Sequence, residues 1–330
     1  MTPLSKPLAI PFAAAALLIA SAPAQAQSSV TVSGLVDLGV YRGFDKTKNV
    51  GTIQRSNIAF SGSEDLGGGL AATFKLSHRF DADTGRPEGE GSKPFWQGES
   101  TVGLKGPWGS LRLGRALDAV WNNDWAYDPW YNFNRIASPA WQYWHYNYSS
   151  SRTSNNGSAE YGRLSNGVFY DSPSFGGFAF HLSGSFEKST GAGAGSGNNA
   201  GLSINYDQGP VSVMVDHSKN SSDDTVTFVG AKYTIGDWSL MGAYDRSKYE
   251  SAVDSTAKVY TLGATYKIGQ AELKAGYGHL DVDGTKSRFV GLGADYWLSK
   301  RTALYVSAGR NKPDRADSTS AYGVGIAHSF

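Results

Sequence analysis

The chain has 330 residues, with 30 Lys and Arg against 29 Asp and Glu, and no Cys. The absence of Cys excludes a disulfide framework and any thiolate metal site, and a pI near 7.8 speaks against nucleic acid, whose partners carry a basic footprint. Aromatic residues make up 13% of a chain whose mean hydropathy is −0.35, a combination that suits a soluble all-β protein or a barrel with alternating faces.

Residues 1–26 read as an export signal. Lys6 supplies the basic start, 10–20 is an apolar run interrupted only by Pro11, and Ala24-Gln25-Ala26 is a small-residue cleavage site before Gln27. The apolar run is too short for a bilayer, which needs roughly 20 residues. Lys6 is the only charged residue before Ser28, so the remainder balances at 29 basic and 29 acidic residues. No later stretch is long and apolar enough for a membrane helix.

From Ser28 onward one theme repeats: segments of about ten residues alternate apolar and polar, separated by Gly-, Asp-, Asn- or Pro-rich breaks. A period of two sends successive side chains to opposite faces of a strand. Arg55 shares a face with Asn57 and Ser61. In 70–80, Leu70, Ala72, Phe74, Leu76 and Phe80 oppose Thr73, Lys75, Ser77 and Arg79. Arg112 stands opposite Leu111 and Leu113, while Arg115 sits at a strand end where strict alternation points it outward. Arg163 is in phase with Ser165 and Phe169, against Val168 and Tyr170. Further on, Val229, Ala231, Tyr233 and Ile235 oppose Gly230, Lys232 and Thr234. Tyr260, Leu262, Ala264 and Tyr266 oppose Thr261, Gly263, Thr265 and Lys267. The last segment is the clearest: Tyr322, Val324, Ile326, His328 and Phe330 face away from Ala321, Gly323, Gly325, Ala327 and Ser329.

With no helical segment to cover either face, a single closed sheet explains the pattern best, with lipid outside and water inside. The fold expected for 27–330 is all-β, a transmembrane antiparallel β-barrel of about sixteen strands. Short breaks at 65–69, 106–109, 172–176, 207–210, 236–237, 268–270 and 298–301 alternate with longer loops, the longest at about 117–158. Short periplasmic turns opposite long outer loops are the asymmetry such barrels show. The run Gly191-Ala192-Gly193-Ala194-Gly195 lies between strands and reads as a flexible outer loop, not a phosphate loop.

Several segments resemble the general porins of β-proteobacteria, of the Neisseria, Comamonas and Burkholderia type. They are Ser29-Val30-Thr31-Val32-Ser33-Gly34-Leu35-Val36-Asp37, Gly62-Ser63-Glu64-Asp65-Leu66-Gly67-Gly68-Gly69-Leu70, Gly109-Ser110-Leu111-Arg112-Leu113-Gly114-Arg115 and Tyr170-Asp171-Ser172-Pro173-Ser174-Phe175-Gly176-Gly177-Phe178. Leu298-Ser299-Lys300-Arg301-Thr302 and the terminal Phe330 add to them, so the resemblance spans the mature chain. It implies a homotrimer in outer-membrane lipid and lipopolysaccharide, a third loop folded into each lumen, and a C-terminal strand ending in Phe330 that the barrel-assembly machinery reads.

A channel discriminates by its width and by the charges at its narrowest point. A charge on the lipid side costs about 2–4 kcal/mol at the midplane, so Arg55, Lys75, Arg79, Arg112 and Arg163 are expected to face water and to form the basic side of a constriction. Asp118, Asp124 and Asp128 in the longest loop are the expected acidic side. A loop of this length is usually functional. It holds Trp121, Trp125, Trp130, Trp141 and Trp144, interleaved with Tyr127, Tyr131, Tyr143, Tyr146 and Tyr148. These rings have two readings: packing of the loop or of a trimer contact, or a stacking track (Trp121, Trp125, Trp130 and Tyr131) for sugars or aromatic acids.

The six His are dispersed and read as wall or interfacial residues. Nothing marks a metal site or cofactor. The expected function is passive diffusion of small hydrophilic solutes and ions, anion-leaning. Rivals are a solute-selective channel, an outer-membrane barrel hydrolase and a plugged structural barrel. The hydrolase would require a Ser–His or Asp–His constellation, which no motif here announces.

Overall fold

A computed structural model describes residues 29–89, 94–150, 162–186, 198–250 and 252–330. The expected export signal, the glycine run at 191–195 and the loop residues 151–161 lie outside the described residues.

The chain runs β1 (Ser29–Arg42), β2 (Lys48–Gly51), β3 (Ser56–Gly67), β4 (Leu70–Asp81), β5 (Arg86–Pro87), β6 (Glu99–Gly106), β7 (Gly109–Leu117), β8 (Arg163–Asp171) and β9 (Phe178–Ser185). The second half adds β10 (Asn199–Gln208), β11 (Val211–Lys219), β12 (Thr225–Ile235), β13 (Trp238–Tyr249), β14 (Ser255–Ile268), β15 (Ala271–Val282), β16 (Thr285–Trp297), β17 (Thr302–Pro313) and β18 (Thr319–Ser329). The ladders β2 and β5 are short pieces within connections. The other sixteen strands form one antiparallel ring, as the alternation predicts. It closes because β1 pairs with β3 on one side, Val32 opposite Phe60, and with β18 on the other, Val40 opposite Val324.

Alternation sorts each strand into two faces. On β17, Leu304 and Val306 are exposed while Ala303, Tyr305 and Ser307 are buried; on β14, Tyr260 and Leu262 are exposed while Thr261 and Thr265 are buried. The large exposed side chains are thus apolar all round the ring, as a lipid-facing wall requires. Beside the short turns they become aromatic: Trp108, Phe178, Tyr233, Trp238, Tyr296 and Trp297 are all exposed. Rings at that level suit the headgroup region, where an apolar body and a polar tip are both satisfied. The turns themselves are tight. Gly236 takes φ +55° between β12 and β13, a left-handed conformation that glycine adopts without a Cβ clash.

The connection after β7 is the exception to this economy. It forms two 3₁₀ turns (Val120–Asn122 and Asp124–Tyr127) and a short helix, α1 (Pro139–Tyr143). Ser138 caps α1 by accepting from the Trp141 N–H at 2.9 Å, with Pro139 opening the first turn. The loop lies on inward-facing side chains of the wall. Asn134 Nδ2 donates to Ser307 Oγ at 2.8 Å, Trp144 Nε1 to Thr261 Oγ1 at 3.2 Å, and Tyr143 OH to Asn311 Oδ1 at 2.8 Å.

Wall glycines make that contact close. A Cβ at Gly263 would lie 2.6 Å from the Pro129 ring, at Gly276 2.9 Å from Trp130, and at Gly278 2.9 Å from Tyr143. At Gly291 and Gly309 it would overlap the carbonyl oxygens of Ala137 and Ile136. The largest apolar cluster sits in this seam: Tyr127, Tyr143 and Trp144 from the loop pack with Met214, Phe228, Val259 and Phe289 from the wall. The hydrophobic core is therefore between loop and wall, not at the barrel's centre.

Gly309→Val is expected to lift the loop and destabilise the barrel by about 1–3 kcal/mol, the usual cost of overpacking. Thermal denaturation in detergent followed by circular dichroism checks this; an unchanged midpoint would show that loop and wall are not in close contact there.

Candidate pore constriction

The inward faces of β3 and β4 and the loops beside them bring three guanidinium groups together. Arg55 immediately precedes β3, Arg79 lies on β4 opposite Asn57, and Arg135 comes from the long loop. Glu88, just beyond β5, is inserted among them and is only 1% exposed. Its backbone N–H donates to the Arg79 carbonyl at 3.1 Å, which fixes where the side chain enters. Arg135 Nη2 lies 2.6 Å from Glu88 Oε1, Arg55 Nε 3.6 Å from the same oxygen, and Arg79 Nη1 3.9 Å from Oε2. Asp81 is a second, looser partner of Arg135 at 3.7 Å. Burial alone would raise the Glu88 carboxyl, but Arg55, Arg79 and Arg135 outweigh it and hold it at about 2. Glu88 is therefore ionised at any physiological pH, and among the described residues three guanidinium groups meet two acids here, Glu88 and Asp81.

Aromatic rings hold the guanidinium planes. Arg55 Cζ lies 4.6 Å above the Trp141 ring and 5.8 Å from Phe133, and Arg135 Cζ lies 5.6 Å from Trp141. Such stacking keeps an arginine oriented while its N–H edge stays directed at an anion.

Lys75 and Arg112 belong to a different arrangement. Lys75 Nζ pairs with Glu99 Oε2 at 2.9 Å, and Arg112 bridges Glu99 Oε1 at 2.8 Å and Asp171 Oδ2 at 2.9 Å. His181 Nδ1 closes the chain on Asp171 Oδ1 at 2.7 Å. Cations and acids alternate along this ladder, so its charges largely cancel. Arg163 is buried and donates from Nε to the Gly98 carbonyl at 2.6 Å. Arg115, expected outward, is buried instead: the register shifts between Gly114 and Ala116, and its Nη1 donates to Ser165 Oγ at 2.7 Å.

The three loop acids, expected to face the wall arginines, are buried and engaged elsewhere. Asp118 accepts from Ser183 Oγ at 2.7 Å and from Tyr148 OH and Ser150 Oγ at 3.0 Å, tying both ends of the loop to β9. Asp128 accepts from the Trp130 and Asn132 N–H groups and from Ser138 Oγ; burial pushes its carboxyl up to about 6 against those bonds. Asp124 acts on Arg55 only through space, its close partner being His145 at 3.1 Å. Long-loop position does not tell whether an acid is exposed, so the sequence pattern could not separate these roles.

Of the four rings named for stacking, Trp130 is buried, Trp121 is partly exposed, and Trp125 and Tyr131 are exposed with centroids 6.0 Å apart. Tyr131 also lies over Lys274 Nζ at 5.7 Å, which itself pairs with Asp295 at 2.6 Å. Phe330, the named assembly residue, continues the β18 seam: its N–H donates to the Gly34 carbonyl and Gly34 N–H to its own, both at 3.1 Å.

Sequence reasoning missed Glu88, Arg135 and His145. Glu88 is concealed in a Gly-, Pro- and Glu-rich stretch that reads as a solvated loop. Arg135 did carry a signal, being the only Lys or Arg between Ala116 and Ser151. His145 is not a wall residue but a latch. Its ring is buried between Asp124 of the loop and Asp245 of β13, with Nδ1 2.5 Å from Asp245 Oδ2.

A closed sheet with an apolar exterior, a charged interior and an inserted loop defines a transmembrane β-barrel channel. The family model for Gram-negative porins matches residues 13–316, and the chain belongs to that family. It is 32% identical over 322 residues to outer membrane porin protein 32 of Delftia acidovorans, covering 88% of this chain and 86% of that one. It is 28% identical over 359 residues to the major outer membrane protein P.IB of Neisseria meningitidis, covering 96% and 98%. Among solved structures, an anion-selective porin from Comamonas acidovorans superposes with a TM-score of 0.81 at 28% identity, covering 92% of this chain and all of that one. The protein is accordingly an outer-membrane porin of the β-proteobacterial type.

Burial lowers the His145 imidazole, but Asp245 and Asp124 outweigh it and push it up to about 10 from an ordinary 6.5. The latch is then fully formed below pH 6.5 and is lost as pH rises through about 10. Acrylamide quenching of tryptophan fluorescence is expected to stay level from pH 5 to 6.5 and to rise toward pH 10. His145→Ala is expected to show the high-pH level throughout. Quenching that rises below pH 6.5 instead would refute the latch.

Proposed function

We propose that the channel passes small hydrophilic solutes and ions by passive diffusion, with a preference for anions. The observation that carries this is the grouping of Arg55, Arg79 and Arg135 around Glu88, with Asp81 as a second acid beside Arg135. A cation-rich ring in a narrow, low-dielectric passage attracts anions and repels cations. Lys75, Arg112 and Arg163 contribute less, being compensated by acids or bound to a backbone carbonyl. The similarity to an anion-selective porin supports the same sign. No catalytic step and no cofactor enter this reading.

The wider reading is that residues 1–26 are removed on export. The mature chain, 27–330, is inserted by the barrel-assembly machinery and functions as a homotrimer in contact with outer-membrane lipid and lipopolysaccharide. The paired end of β18 supports a role for Phe330 in that step, because the closing seam is completed there.

In a salt gradient across a planar bilayer the reversal potential is expected to carry the anion sign. Glu88→Gln should move it further that way, and Arg79→Gln combined with Arg135→Gln should move it toward cations. A cation-selective unmodified channel would sink the reading. Deletion of Phe330 is expected to lower the yield of folded trimer severalfold on semi-native gels; equal yield would remove it as an assembly signal.

A further inference from the structure

The outer face of the wall carries a belt of cations on one side of the barrel. Arg246, Lys258, Arg288 and Lys312 are exposed at outward positions of β13, β14, β16 and β17, at the end that bears the long connection after β7. Arg246 stands opposite Lys258 where β13 pairs with β14, and Arg288 opposite Lys312 where β16 pairs with β17. The strand β15 separates the two pairs, which places them roughly 10 Å apart, two strand spacings. The belt keeps a constant distance from the aromatic edge at the short turns: Arg246 is eight positions from Trp238, Lys258 eight from Tyr266 and Arg288 eight from Tyr296. That interval spans roughly 27 Å along a strand, or about 20 Å across the membrane at a tilt of about 40°. The cations therefore lie at the far edge of the apolar band, just beyond Tyr244 and Tyr260, whose ring centroids are 5.0 Å apart.

This belt is not balanced by acids. Lys248, nearer the loop on β13, is neutralised by Glu250 and Asp254, whereas among the described residues no acid forms an ion pair with Arg246, Lys258, Arg288 or Lys312. Among the described residues Asp281 is the only acid at the outward positions of β13–β17. It stands opposite Lys286 as well as Lys258, and accepts from the Gly284 N–H at 2.8 Å. On β3 and β4 the positions at the same height hold Ile58 and His78, so the belt does not encircle the barrel. Solvation of the loops calls for neither a single sign of charge nor a single height below them. Lys and Arg can lay their stems along apolar surface and lift their charged heads to the headgroup level. A phosphate met there accepts charge-assisted hydrogen bonds, and Arg offers it two parallel ones.

Two cation pairs at headgroup height, each without a matching acid, suit a lipid whose headgroup carries two phosphates. We propose that the outer ends of β13–β17 hold the doubly phosphorylated disaccharide of lipid A, the lipid part of lipopolysaccharide, with one phosphate at each cation pair. The proposal rests on the lipopolysaccharide contact proposed above and gives that contact a place on the wall.

The test uses the porin refolded from inclusion bodies into detergent, so that it carries no native lipid, and reads lipid retention by native mass spectrometry. Doubly phosphorylated lipid A is the probe. Lipid A stripped of both phosphates, and phosphatidylglycerol with its single phosphate, serve as comparisons. At equal concentration the probe is expected to be retained at least tenfold more than either. Arg246→Gln with Lys258→Gln should lower its retention severalfold, and so should Arg288→Gln with Lys312→Gln. Lys300→Gln with Arg301→Gln, in a short turn at the other end of the barrel, should leave it unchanged. Retention of the probe untouched by both belt variants, or lowered equally by the turn variant, would overturn the assignment. So would equal retention of the three lipids by the unmodified porin, a comparison that needs no variant to fold. Belt variants that fall apart into monomers while keeping the probe would make the belt a contact between copies and overturn it too. Equal retention beside a normal chloride current leaves the channel reading intact, whereas retention of none of the three lipids would overturn the lipopolysaccharide contact as well.

Discussion

Hydrocarbon offers no hydrogen-bond partners, and each unpaired backbone N–H or C=O left in it costs several kcal/mol. That constraint forces the sheet to close, and β1 meets it by pairing with β3 and β18 at once. It also determines where a core can form. A single closed sheet has no second layer, so its inward face can be covered only by chain that leaves the wall and returns. The connection between β7 and β8 is that chain, which is why the largest apolar cluster lies where it meets β11–β16.

The same enclosure gives the interior charges their meaning. Arginines on the inner wall escape the penalty of facing lipid, but they are not all compensated alike. Those in the Lys75–Glu99–Arg112–Asp171 ladder meet an acid at every step. Those around Glu88 share it and Asp81 among three guanidinium groups, and aromatic faces replace part of the water they lose. Two sets of residues with like composition therefore differ in their electrostatic setting because of their neighbours, not their own chemistry.

How much of this can be read from sequence follows from which features have a period. Strand alternation does, so the barrel, its approximate strand number and the outward faces of β12, β14 and β18 were legible from residue order. Arg115 shows the limit, because one register shift beside Gly114 reverses a side chain without disturbing the surrounding pattern. The acids of the long loop show another. Asp118, Asp124 and Asp128 carry the charge that an eyelet calls for, yet burial and hydrogen bonding, invisible in sequence, make them fasteners. Glu88 was hidden for the converse reason, since a stretch rich in Gly and Glu gives no sign that one carboxylate turns inward between arginines.

The glycines beneath the long loop have a consequence for how such a protein can change. At Gly291 and Gly309 the loop's main chain occupies the place where a side chain would stand. Loop and strands are therefore cut to one another, and neither can be exchanged alone. A designer who transplants this loop into another barrel must place glycines at the matching positions of the recipient's facing strands along with it.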